Sequence, residues 1–111
     1  MRKVLSYDDV LLVPKYSEIT SRSQVDVSAD LDTVITLDLP IVGAPMDTVV
    51  GPDMAAALSR MGTFGVLHRY CSIEEQSEMV SAVVAEGSES SPVAVAIGAT
   101  GDFLERAQEL H

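Results

Sequence analysis

The chain has 111 residues, 47% of them hydrophobic and 22% charged, the proportions of one small globular domain and not of a disordered tail. A formal net charge of −10 disfavours binding to nucleic-acid backbones and leaves any phosphate site dependent on local amides or a few well-placed cations. The mean hydropathy is slightly positive, +0.23, yet no apolar stretch approaches the roughly 18–20 residues of a membrane span.

The first residues lack the apolar run and cleavage site of a secretory signal, so the expected location is cytoplasmic. Over residues 6–35, short apolar pieces such as Val10-Leu11-Leu12-Val13 and Val25-Asp26-Val27-Ser28 alternate with polar ones. Pro14 and the Ser/Thr-rich stretch 17–23 break any helical period, which predicts an extended segment over residues 1–39 with one or two short strands.

After Pro40 the pattern becomes regular. Ile41-Val42-Gly43-Ala44 reads as an apolar strand, Pro45-Met46-Asp47-Thr48 as a loop, and residues 52–61 as a helix. Pro52 suits the first helical position, Asp53 the positive end of the dipole, and Gly62 a left-handed stop. Met54, Leu58 and Met61 share one face of that helix.

A second unit follows, with Phe64-Gly65-Val66-Leu67 as strand and Ser72-Ile73-Glu74-Glu75 as a capping box that opens a helix to about Ala85. Residues 86–91 form a polar connection, residues 93–97 a third strand, and Phe103, Ala107 and Leu110 mark the inner face of a third helix. Strand–helix units in series, with strands apolar on both faces, predict an α/β fold with a parallel sheet. Residues 40–111 would be the first three βα units of a TIM (β/α)8 barrel, too few to close one of about 250 residues. The alternative is an open doubly wound sheet, but Pro45-Met46-Asp47-Thr48 is not the Gly-rich loop that fold usually places after its first strand.

In such barrels ligands sit beyond the C-terminal ends of the strands, which directs attention to residues 45–48, 68–71 and 98–102. Here the motifs become specific: Tyr7-Asp8-Asp9-Val10-Leu11-Leu12-Val13-Pro14, then Pro40-Ile41-Val42-Gly43-Ala44-Pro45-Met46-Asp47-Thr48-Val49, then Gly65-Val66-Leu67-His68-Arg69 with Ser72-Ile73-Glu74-Glu75-Gln76. In this order they resemble the start of the IMP dehydrogenase and GMP reductase family.

The resemblance implies a barrel enzyme that binds a purine nucleotide monophosphate and a nicotinamide cofactor and assembles as a homotetramer. The cofactor is NAD for oxidation of IMP to XMP, or NADPH for the reductase converting GMP to IMP. A monovalent cation is a further possibility for the complete enzyme, without ligands in this sequence. No other metal, nucleic-acid or membrane partner is expected.

Carried over residue by residue, Ala44 and Met46 match positions lining the nucleotide pocket, where a thioether packs against a flat purine. Met46 as simple filling of the barrel mouth is the competing reading. Asp47 and Thr48 belong to the same motif, or form only a turn. Gly43 stands where the family often has Ser. Arg69 aligns with a lysine used near the nucleotide in GMP reductases and is the weak catalytic candidate; an exposed Arg is otherwise a solvated group. Gly98 and Thr100 are candidates for cofactor contact through the backbone, or belong merely to the next helix's first turn. His68 reads as a hydrogen-bonded structural histidine.

The family's nucleophilic cysteine belongs to a downstream Gly-rich pattern absent here. Cys71 is not assigned that role, although its place at a helix start would lower its pKa. The short connection 86–91 occupies the place where many IMP dehydrogenases carry CBS modules. Pro45 favours the dehydrogenase, because GMP reductases typically have Asn there. The expectation is therefore a segment inactive alone, with GMP reductase, or a non-catalytic truncated relative acting through association, as alternatives.

Overall fold

The computed structural model describes residues 4–87 and 92–111. Residues 4–28 run extended, with 3-10 turns at Tyr7–Asp9 and Arg22–Gln24. Strands occur not at Val10 or Val25 but later: β1 (Ala29–Asp30) pairs antiparallel with β2 (Thr36–Leu37). The reason is local. Asp32 Oδ1 accepts from the amides of Val34 and Ile35, and the Leu31 amide donates to the Ile35 carbonyl, so the turn between the strands builds its own bonds. Val10 to Val13 meet no such turn and no partner strand, and Leu11 and Leu12 are almost fully exposed.

The regular part consists of β3 (Val42–Gly43), α1 (Pro52–Arg60), β4 (Phe64–Leu67), α2 (Ile73–Glu86), β5 (Ala94–Val95) and α3 (Phe103–Glu109). The three strands are parallel and neighbour one another in chain order, β3-β4-β5. Each unit is added beside the last without a reversal of direction, which is how a barrel wall grows; a doubly wound sheet reverses at its switch point. The fold is a partial parallel α/β barrel. The expected connection 86–91 lies largely outside the described residues; within them, Glu86 ends α2 and Gly87 is its C-cap.

Helix boundaries follow the punctuation. Pro52 is the first residue of α1, and Gly62 beyond it has φ +73°. At α2, the Glu75 amide donates to Ser72 Oγ (3.1 Å) and the Ser72 amide to Glu75 Oε2 (2.8 Å), a reciprocal capping box. The face of α1 that enters the core is not the methionine face. Met54 and Met61 are exposed, whereas Ala55, Ala56 and Ser59 are buried, because α1 lies close on β4 and against α2 and only small side chains fit between.

Close approach is set by a pair of glycines. Gly43 and Gly65 sit opposite each other in the parallel register, and a Cβ on either would come 2.7 Å from a Val50 methyl. Their absent side chains admit Val50 and Leu58 onto the sheet. Val50, Ala55, Leu67 and Val83 form the buried cluster, flanked by Met79, Val80, Val93 and Val95. Full burial of a side chain such as Leu67 contributes about 1.5–3 kcal/mol.

Candidate functional site at the strand ends

Because the three strands are parallel, the loops 44–50, 68–72 and 96–102 all leave from the same end of the sheet. The first loop is tied by its own backbone: the Met46 amide donates to Ala44 O, while Met46 O accepts from the amides of Val49 and Val50. The turn so formed buries Val50 and turns Met46 outward, 51% exposed. Ala44 and Asp47 are exposed too. This arrangement presents a thioether and a carboxylate at the sheet's rim.

In the second loop, His68 Nδ1 accepts from the Tyr70 amide (3.2 Å), and the two rings stack with centroids 6.2 Å apart. An accepting Nδ1 places the ring proton on Nε2 when His68 is neutral. Arg69 is exposed, and its guanidinium lies over Gly98: a Cβ on Gly98 would come 2.8 Å from Arg69 Nη1. Gly98 has φ +80° and Gly101 +74°. Thr100 between them is exposed. Arg69 and Gly98 are thus brought together, while Ala44, Met46 and Asp47 stand on the neighbouring strand end without a hydrogen bond or ion pair to them.

Cys71 behaves differently from the sequence expectation. Its thiol is pushed above the ordinary 9.0, first by burial, which outweighs the nearby Arg106 cation. It precedes the N-cap Ser72, whose hydroxyl and not the Cys71 thiol accepts from the Glu75 amide at the helix start. A cleft of about 490 Å³ adjoins it, lined by Pro52, His68, Tyr70, Cys71, Glu75, Glu78, Met79 and Ala82. That cleft opens between α1 and α2 and meets the rim at its second loop, through His68, Tyr70 and Cys71, but includes none of Ala44, Met46, Asp47, Gly98 or Thr100.

Two residues that sequence reasoning missed organise this end of the sheet. Gln76 is fully buried, and its Nε2 donates to His68 O (2.9 Å) and Ala96 O (3.0 Å). Arg106, 5% exposed, donates from Nη1 to Gln76 Oε1 (2.8 Å) and from Nη2 to Cys71 O (3.1 Å). It also pairs with Asp102 at 2.8 Å. The hydrogen bonds from Arg106 hold the Asp102 carboxyl below its ordinary 3.8. A signal was present in each helix. Gln76 occupies the apolar stripe of Met79, Val80 and Val83, and Arg106 fills the gap between Phe103 and Ala107 and Leu110. A polar residue inside such a stripe marks a buried, satisfied group. Among the described residues, no buried side-chain nitrogen or oxygen lacks a partner.

Comparison with known proteins agrees with this geometry. The family model for the IMP dehydrogenase / GMP reductase domain matches residues 4–111. The chain belongs to that family. It is 51% identical over 84 residues to inosine-5'-monophosphate dehydrogenase of Nitrosopumilus maritimus, covering 76% of this chain and 18% of the relative. It is 49% identical over 79 residues to GMP reductase of Leishmania donovani, covering 71% and 16%. Among solved structures, inosine 5' monophosphate dehydrogenase from Legionella pneumophila superposes with a TM-score of 0.81 at 35% identity, over 97% of this chain and 32% of that one. GMP reductase from Trypanosoma brucei, in complex with guanosine 5'-triphosphate, gives 0.68 at 46%, over 72% and 19%. The chain therefore spans about a fifth of the length of the curated relatives it matches.

No helix among the described residues is long and apolar enough to cross a membrane. Among the same residues, no group of three or more His, Cys, Asp or Glu is arranged to hold a metal ion.

Proposed function

We propose that this segment supplies one wall of the nucleotide pocket in a purine-nucleotide oxidoreductase of the IMP dehydrogenase type, which converts IMP to XMP with NAD. The observation that carries this reading is the turn at residues 44–47, which presents Met46 and Asp47 outward at the C-terminal end of a parallel sheet in a chain of this family. Ala44 leaves room beside the strand end, Met46 offers a polarizable face to the purine, and the Asp47 carboxylate is free to accept from a sugar hydroxyl. Arg69 contributes a cation on the adjacent loop.

The fit to a nicotinamide cofactor is partial. Thr100 is exposed, but Gly98 lies beneath Arg69, and the described residues leave no buried polar atom in need of a ligand. Gly98 and Thr100 would thus touch an edge of the dinucleotide and not cradle it. NAD, when bound, serves as hydride acceptor. By family resemblance, the complete protein is a cytoplasmic homotetramer.

A second reading, GMP reductase, is supported by the 49% identity to the Leishmania donovani protein. Incubating the complete protein with IMP plus NAD, and separately with GMP plus NADPH, tests both readings. NADH formation supports the first, NADPH oxidation with ammonia release supports the second, and neither reaction contradicts both.

A further inference from the structure

Burying an arginine costs desolvation that an apolar side chain of similar volume avoids, so Arg106 calls for an account of what it holds. Its guanidinium reaches four groups: Cys71 O and Ser72 O at the start of α2, Gln76 Oε1, and Asp102 at the start of α3. Gln76, in turn, donates both protons of its amide to carbonyls closing the ends of β4 and β5, His68 O and Ala96 O. Two side chains thereby join everything that flanks the second and third loops of the rim. The hydrophobic cluster around Leu67 and Val83 has no such reach, because apolar packing lacks directionality.

We propose that Gln76 and Arg106 are positioning residues that fix the loop carrying Arg69 against the loop carrying Gly98, and so set the geometry in which the nucleotide is received. This rests on the functional reading above. The tie is specific in its chemistry. Glutamine has a donor arm for the strand-end carbonyls and an acceptor for Arg106, and neither Glu nor Leu supplies both. Lysine in place of Arg106 keeps the charge but cannot reach Gln76, Cys71 O and Asp102 at once.

The test compares Gln76→Glu and Arg106→Lys with Val83→Ala in the complete protein. Val83→Ala removes buried methyl groups from the same helix, away from both loops. Expected is a rise in KM for IMP of about tenfold in Q76E and R106K, from displaced loops, with no rise in V83A even at an equal loss of Tm. Amide exchange at Arg69, Tyr70, Ala99 and Thr100 should quicken in the first two variants only. Equal KM in all three variants, or a KM that tracks Tm alone, overturns the proposal while leaving the functional reading intact. Failure of both Q76E and R106K to fold assigns the pair to folding and also overturns it. An active-site reading that fails is recognised separately, by wild-type protein that turns over neither IMP nor GMP, and the positioning role falls with it.

Discussion

Arg106 donates to Gln76 Oε1 at 2.8 Å with both side chains buried, so the helices α2 and α3 are joined through a charged hydrogen bond. Replacing Gln76 with Leu deprives Ala96 O of the amide and takes one bond each from Arg106 Nη1, which keeps Ser72 O, and from His68 O, which keeps only a long contact to the Cys71 thiol. At about 1–3 kcal/mol for a buried group left unsatisfied, and less for the two atoms that keep a partner, the loss should reach about 2 kcal/mol or more. Urea unfolding of wild type and Q76L measures it; a change below about 1 kcal/mol would mean that water replaces the amide.

Asp102 supplies a pH dependence of known sign. Its folded pKa is depressed, chiefly by hydrogen bonds from Arg106, so its contribution to stability is fully present above the ordinary 3.8 and is lost as pH falls through the lowered folded value. Asp9, Asp26, Asp32 and Glu74 are lowered as well by local hydrogen bonds. Asp102→Asn should therefore flatten, without abolishing, the loss of stability between about pH 5 and pH 2. Denaturation midpoints across that range, compared between D102N and wild type, decide it; identical slopes would contradict the assignment.

Gly98 and Gly101 share a left-handed backbone but differ in surroundings. Alanine at Gly101 meets open space, so its cost is the backbone preference alone, about 1–2 kcal/mol. Alanine at Gly98 also pushes aside the Arg69 guanidinium, the far end of an exposed and flexible side chain, at little further cost. G98A and G101A should therefore cost nearly the same stability, both set by the left-handed backbone, while only G98A moves the Arg69 guanidinium. Urea unfolding of the two variants checks this, and a clearly larger loss in G98A would show that Arg69 is held rigidly in place.

Cys71 should alkylate slowly near neutral pH, with a rate still rising above pH 9.0, since burial raises its pKa past that value. Iodoacetamide kinetics against pH give the midpoint directly. A midpoint below 9.0 would restore the reactive thiol that its position near a helix start suggests.

Most of the fold was legible because it depends on local signals. Pro52, Gly62 and the Ser72–Glu75 box punctuate helices whatever lies beyond them, and Phe64–Leu67 is a strand in which all four residues are apolar or glycine. The placement of the first hairpin was less legible, because Asp32 fixes its turn through side-chain bonds that hydropathy does not register. The core face of α1 was misleading for a related reason: Met54 and Met61 are spaced for a common face, but the close approach permitted by Gly43 and Gly65 selects alanines instead. At the rim, Met46 and Arg69 were found through motif resemblance. Gln76 and Arg106 escaped because a polar residue in an apolar stripe acquires meaning only when its partners, 30 residues apart in sequence, are seen together.

The central claim is that the turn at 44–47 forms a wall of the nucleotide pocket. Met46 and Met54 are almost equally exposed, 51% and 49%, yet only Met46 belongs to that turn. The most direct measurement is KM for IMP in the complete protein carrying Met46→Ala or Met54→Ala. The account predicts a rise of up to about tenfold for M46A, the equivalent of losing one thioether–ring contact, and no change for M54A. Equal KM values for the two variants would contradict it.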